Sequence, residues 1–136
     1  MLVSGCASPR YASIPAKGIS NAKTIYIIEN PETTSLFLEA MKDWLYEHKY
    51  DIQLLPPSSE TSQYEWVLTY TALRSWDLAV FLRDATIRAF NKGTFSGDSK
   101  FYSDNNLNFS KYGGMREKVG KMMGNLFSVD KNVVSD

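Results

Sequence analysis

Two carboxylates, Asp77 and Asp84, stand near Arg74, Arg83 and Arg88 in one stretch of the chain. A carboxylate pair on one sheet could exchange protons with a substrate, which would make a small hydrolase or lyase. We read them instead as ion pairs with the arginines on a solvated sheet face. Asp77, just after Trp76, can also hold a turn through backbone N–H groups. The sole histidine, His48, falls near the end of an amphipathic segment, where the negative end of a helix dipole favours an imidazole. A structural role is expected of it. One His and one Cys build no zinc site, and no metal is expected. There is no Walker loop and no dinucleotide fingerprint, and Gly113-Gly114 is too short to be either. No cofactor and no enzyme activity are therefore expected.

The sole cysteine, Cys6, ends the run Val3-Ser4-Gly5-Cys6. This resembles a bacterial lipobox, where a branched apolar residue and two small residues precede a cysteine that takes a diacylglycerol. Small side chains let the lipoprotein signal peptidase reach the bond before the thiol. Acyl chains such as palmitate then hold the protein to a membrane, each buried methylene contributing about 0.8 kcal/mol. A signal peptide also needs a charged start and an apolar run. Leu2 and Val3 are all that is present, so the true start is expected upstream. Residues 1–5 are read as a signal-peptide remnant and 6–22 as a lipid-anchored flexible tether, rich in Ser, Pro, Gly and Asn. Ala7 after the cysteine, rather than Asp, points to the outer membrane, periplasmic face.

Positioning elements follow from periodicity. Thr24-Ile25-Tyr26-Ile27-Ile28 reads as a central strand. Asn30-Pro31-Glu32 has the residue types of a helix start. Phe37, Met41, Trp44, Leu45 and His48 then share one helical face. Asp51–Leu55 reads as a strand closed by Pro56-Pro57. Tyr64, Trp66, Leu68, Tyr70 and Ala72 alternate with Glu65, Val67, Thr69 and Thr71, as on a strand. From Trp76 to Phe90 the alternation slips phase, which predicts a β-bulge near Arg83-Asp84. Asn91-Lys92-Gly93 is a hairpin signal, and Thr94 to Tyr102 returns as a strand weakened by Gly97. Asp104-Asn105-Asn106 is expected to end it. A last helix over about 110–127 carries Met115, Val119, Met122, Leu126 and Phe127 on one face, with four glycines that lower its propensity.

These elements predict one α+β domain over 23–128: a two-layer sandwich, its antiparallel-rich sheet of four to five strands carrying two helices on one face. Residues 129–136 read as a tail. With 136 residues, 43% hydrophobic and 22% charged, the chain is globular and one domain long. Lys+Arg and Asp+Glu both number 15, so no net field draws it to nucleic acid. The last helix has a basic side, from Lys111, Arg116, Lys118 and Lys121, read as a solvated face.

The run Thr69-Tyr70-Thr71-Ala72, Trp76-Asp77-Leu78-Ala79 and Ala85-Thr86-Ile87 resembles an uncharacterised family of small proteobacterial lipoproteins of the Shewanella type. The resemblance covers most of residues 24–127 and implies localisation and fold, with no activity to carry over. A lipid-anchored, non-catalytic binding or accessory domain of the cell envelope is therefore expected. Its partner would be an envelope protein or an apolar ligand. The binding surface is expected on the sheet face away from the helices, from Tyr64, Trp66, Tyr70, Trp76, Asp77 and Phe81.

Overall fold

The computed structural model describes residues 10–74, 81–108 and 112–128. The chain order is β1 (Arg10–Ile14), β2 (Thr24–Ile28), α1 (Ser35–Glu47), β3 (Asp51–Leu55), β4 (Trp66–Arg74), β5 (Phe81–Asn91), β6 (Thr94–Asn108) and α2 (Tyr112–Phe127). Short 3-10 turns at Ile19–Asn21 and Thr61–Gln63 lie in the connections.

The strands form a single six-stranded sheet in the order β1-β6-β5-β4-β2-β3. The β1–β6, β6–β5 and β5–β4 ladders are antiparallel, whereas β2 is parallel to both β3 and β4. The α+β class holds, but the sheet has six strands and not four to five. The extra strand is β1, and it replaces much of the expected tether. Arg10–Ile14 pairs residue for residue with Asp98–Tyr102, and Ala16 and Ile19 are buried. Ala16 N donates to Leu126 O at 2.9 Å, tying this segment to the end of α2. The domain therefore reaches back at least to Arg10.

Gly97 is the reason β1 fits. A Cβ there would stand 2.4 Å from Ile14 O and 2.8 Å from the backbone of Ala16. The residue that weakened the strand on propensity grounds is the one that admits its neighbour. β6 also runs on through Asp104-Asn105-Asn106 to Asn108, because its far end pairs with Phe81 and Leu82. Asp104-Asn105-Asn106 themselves fall within the register shift, between Tyr102 opposite Asp84 and Leu107 opposite Leu82, so the pattern breaks there and the strand resumes beyond. The bulge does occur, as a register shift between Leu82 and Asp84. At the β5–β6 turn, Lys92 and Gly93 have φ of 52° and 88°, the positive pair that a primed hairpin turn needs.

One face of the sheet and the inner faces of both helices make a single core. Ile25, Ile27, Leu68, Ile87 and Phe101 from the strands meet Phe37, Met41 and Leu45 of α1 and Met115, Val119, Met122 and Leu126 of α2. The expected apolar stripes of the two helices are the ones buried, except that His48, the last residue of the α1 stripe, is exposed at the C-cap. Helix α1 starts later than the Asn30-Pro31 signal suggested: Thr34 is the N-cap, its hydroxyl accepting from Leu36 N at 3.3 Å. At the other end the backbone closes a Schellman motif, Tyr50 N donating to Leu45 O and Lys49 N to Tyr46 O. This places Lys49 at φ 70°, where glycine is the unstrained choice.

Two substitutions should move stability in opposite directions. Lys49→Gly relieves left-handed strain and should stabilise the fold by about 0.5–1 kcal/mol. Gly97→Ala must push β1 off the sheet and should cost about 2 kcal/mol or more. Thermal unfolding followed by circular dichroism measures both.

Candidate functional site

Parallel pairing of β2 with strands on both sides has a geometric consequence. From the carboxyl end of β2 the chain turns away through α1 to β3, while β4 lies on the other flank. A crevice opens where neighbouring connections diverge, and open sheets place ligands there. Here the crevice is bounded by the 29–35 loop, the ends of β2 and β4, and the start of β5.

The loop is built around Asn30. Its backbone N–H donates to the Tyr70 hydroxyl at 2.9 Å, and its side-chain amide donates to Tyr70 O at 3.0 Å. Its Oδ1 accepts from Glu32 N at 3.0 Å, and Thr33 N donates to Asn30 O at 3.1 Å. Asn30 thus serves β4 and the loop instead of capping a helix, and the turn leaves Thr33 buried. Tyr70 stacks on Phe37 with ring centroids 5.7 Å apart. Burial pushes its phenol above the ordinary value; the Asn30 hydrogen bond pulls the other way, and the charge of Glu29 adds to the rise. Tyr70 is therefore a neutral strut joining β4, α1 and the loop.

Above this strut lies a pocket of about 470 Å³ lined by Asn30, Glu32, Thr33, Thr71, Ala72, Asp84, Ala85 and Thr86. Asp84 and Thr86 also line a neighbouring depression with Tyr11, Ala12, Lys100 and Tyr102. The first pocket offers two carboxylates, three hydroxyls and an amide, and among the described residues no cationic side chain lines it. Acceptors outnumber fixed donors, so the arrangement suits a hydroxyl- or amine-bearing group rather than an anion.

The expected aromatic surface is divided by the fold. Trp66 and Tyr70 are 6% and 4% exposed and belong to the core beneath the helices, not to an open face. The alternation correctly grouped them on one face, but that face is the covered one. Tyr64 is half-buried and packs on Tyr26 at 4.6 Å, on the side away from the helices. Val67 is also fully buried there, beside Tyr26 in the ladder, so part of that second face is closed as well. Phe81 opens β5. Cys6, Trp76 and Asp77 lie outside the described residues. Asp84 reaches the pocket, and whether Asp77 joins it lies outside the described residues.

His48 is the C-cap of α1. Its Nδ1 stands 2.8 Å from Trp44 O, and its ring stacks on Trp44 with centroids 3.8 Å apart. Among the described residues no group of three His, Cys, Asp or Glu is placed to hold a metal ion, and no helix is long and apolar enough to cross a membrane.

Sequence reasoning missed Asn30, Glu32, Thr33, Thr71 and Thr86 as a group. The signal present was Asn30-Pro31-Glu32 directly after a buried strand, read only as a helix start. Asn30→Ala should free the loop while leaving α1 intact. Hydrogen exchange at Glu32 and Thr33 should then quicken by about tenfold, the equivalent of roughly 1.4 kcal/mol of lost hydrogen bonding.

No protein-family model and no curated protein sequence matches the chain. Solved structures do share its architecture. A PelC dodecamer carrying one substitution, from Paraburkholderia phytofirmans, has a TM-score of 0.60 at 9% identity over 86% of this chain and 97% of that one. A second PelC dodecamer from the same organism gives 0.59 at 8% identity, over 86% and 98%. A minor lipoprotein from Acinetobacter baumannii gives 0.33 at 14% identity over 83% and 88%. At these identities the PelC structures share a fold with this chain.

Proposed function

We propose that the protein is a non-catalytic binding or accessory domain of the cell envelope, held by lipid on Cys6 to the periplasmic face of the outer membrane. The observation that carries this reading is Val3-Ser4-Gly5-Cys6, with the thiol only four residues ahead of the first strand. A cysteine so placed can be acylated without disturbing the described core, whose first residue is Ala16. Ala7 supports outer-membrane sorting. The use of His48 to close a helix supports a binding role, since that imidazole is committed to Trp44. The polar pocket at the ends of β2 and β4 is the site offered to a ligand, with Glu32, Thr33, Asp84 and Thr86 as its contacts.

A second reading concerns assembly. Strands β1 and β3 are the two edges of the sheet, and their outer backbone groups can pair with another strand. The PelC neighbours are dodecamers. Self-association through these edges is read out by light scattering of the detergent-solubilised protein, and the mass of a single chain excludes it.

In the native host, Cys6→Ala should move the protein from the membrane fraction to the soluble periplasmic fraction. An unchanged membrane fraction counts against the anchor. Asp77→Asn and Asp84→Asn should produce no catalytic phenotype. An activity screen in which either substitution abolishes turnover would favour a hydrolase or lyase instead.

A further inference from the structure

Resting on the acylation of Cys6 proposed above, we infer that the end of the sheet carrying Arg10, Asp84 and the pocket is the face turned toward the lipid bilayer. Cys6 precedes Arg10 by four residues, so their Cα atoms stand at most about 14 Å apart. Arg10 pairs with Tyr102, and Tyr102 pairs with Asp84, which sets all three in one row across β1, β6 and β5. Two strand spacings put Asp84 roughly 10 Å across from Arg10. Ala85 pairs with Ala72, and Tyr70 bonds to Asn30, so the same end holds the pocket. The opposite end, at Lys23 and the Lys92-Gly93 turn, lies about seven residues farther along β5, roughly 24 Å away.

The anchoring strand is fixed along one side by β6 and just past its end by α2. Five residue pairs join β1 to β6, and Ala16 bonds to the end of α2. Tyr11 packs on Phe101 at 5.3 Å, with the Lys121 ammonium 5.3 Å from its ring centroid. A short leash on a rigid strand sets the orientation of the domain as well as its location. The surface near the leash suits a headgroup layer: Tyr102 is 36% exposed, and Lys100 and Lys121 are exposed. Lys100 stands 3.9 Å from Asp98 and Glu117 acts on Tyr11, so each of these two lysines has an acid near it, while Glu29 and Glu32 sit across the sheet on the β2 side. The tether enters at β1, so the β1–β6 side of that end lies lowest.

The experiment uses full-length acylated protein in vesicles of phosphatidylethanolamine and phosphatidylglycerol that contain a headgroup-level quencher lipid. With the native thiol acylated, a single introduced cysteine takes the fluorophore. Lys100→Cys and Lys121→Cys should be quenched several-fold more strongly than Lys23→Cys. The two near-end variants sit on different elements, so a folding defect in one leaves the other to report. Equal or reversed quenching with Cys6 acylated overturns the orientation alone. An unmodified Cys6 in the mass spectrum of the host protein overturns the anchor and the orientation together.

Discussion

The fold depends on the covering of one sheet face by two helices. Apolar burial contributes about 25 cal/mol per Å², so an uncovered face of this composition would not persist in water. Every strand from β2 to β6 sends side chains into that layer or lies flat against it, and the helices supply the matching apolar stripes. Trp44 joins the two helices, packing on Phe127 at 4.9 Å and on His48 and Tyr50 at the end of α1. An ion pair between Arg116 and Glu47, with Asp43 also 3.6 Å from Arg116, lies outside this contact. These groups are about half exposed, so the pair adds little beside the apolar contact it overlies.

Local signals were legible and long-range ones were not. The helical stripe from Phe37 to His48, the primed turn at Lys92-Gly93 and the phase slip at Arg83 are each written within a few residues. Each appears where the pattern put it, except that α1 begins at Ser35 and that His48 is exposed just past its end. Strand β1 is different. Arg10-Tyr11-Ala12-Ser13-Ile14 has weak strand character by itself, and its stability comes from pairing with residues far along the chain and from the space left at Gly97. A contact of that sequence separation leaves no periodic mark in either segment.

The candidate site shows the same division. Alternation put Trp66 and Tyr70 on one side of a strand, but nothing local says which side the helices cover. The pocket needed the strand order, because Asn30, Thr71 and Asp84 become neighbours only when β4 sits between β2 and β5. Asn30 illustrates the ambiguity of single residues. Its side chain has the chemistry of a helix cap, and the fold uses that chemistry to bind Tyr70 O and to shape a loop.

Four methionines lie in the core. Met41, Met115, Met122 and Met123 are all fully shielded from solvent, three of them on α2. Thioethers fill irregular space well, but a peroxide converts them to polar sulfoxides that such a layer does not tolerate. Outside the reducing cytosol, the packing of α2 becomes the chain's shield against oxidants. Each passing excursion of that helix from the sheet is then an opportunity for irreversible harm wherever no reductase repairs it.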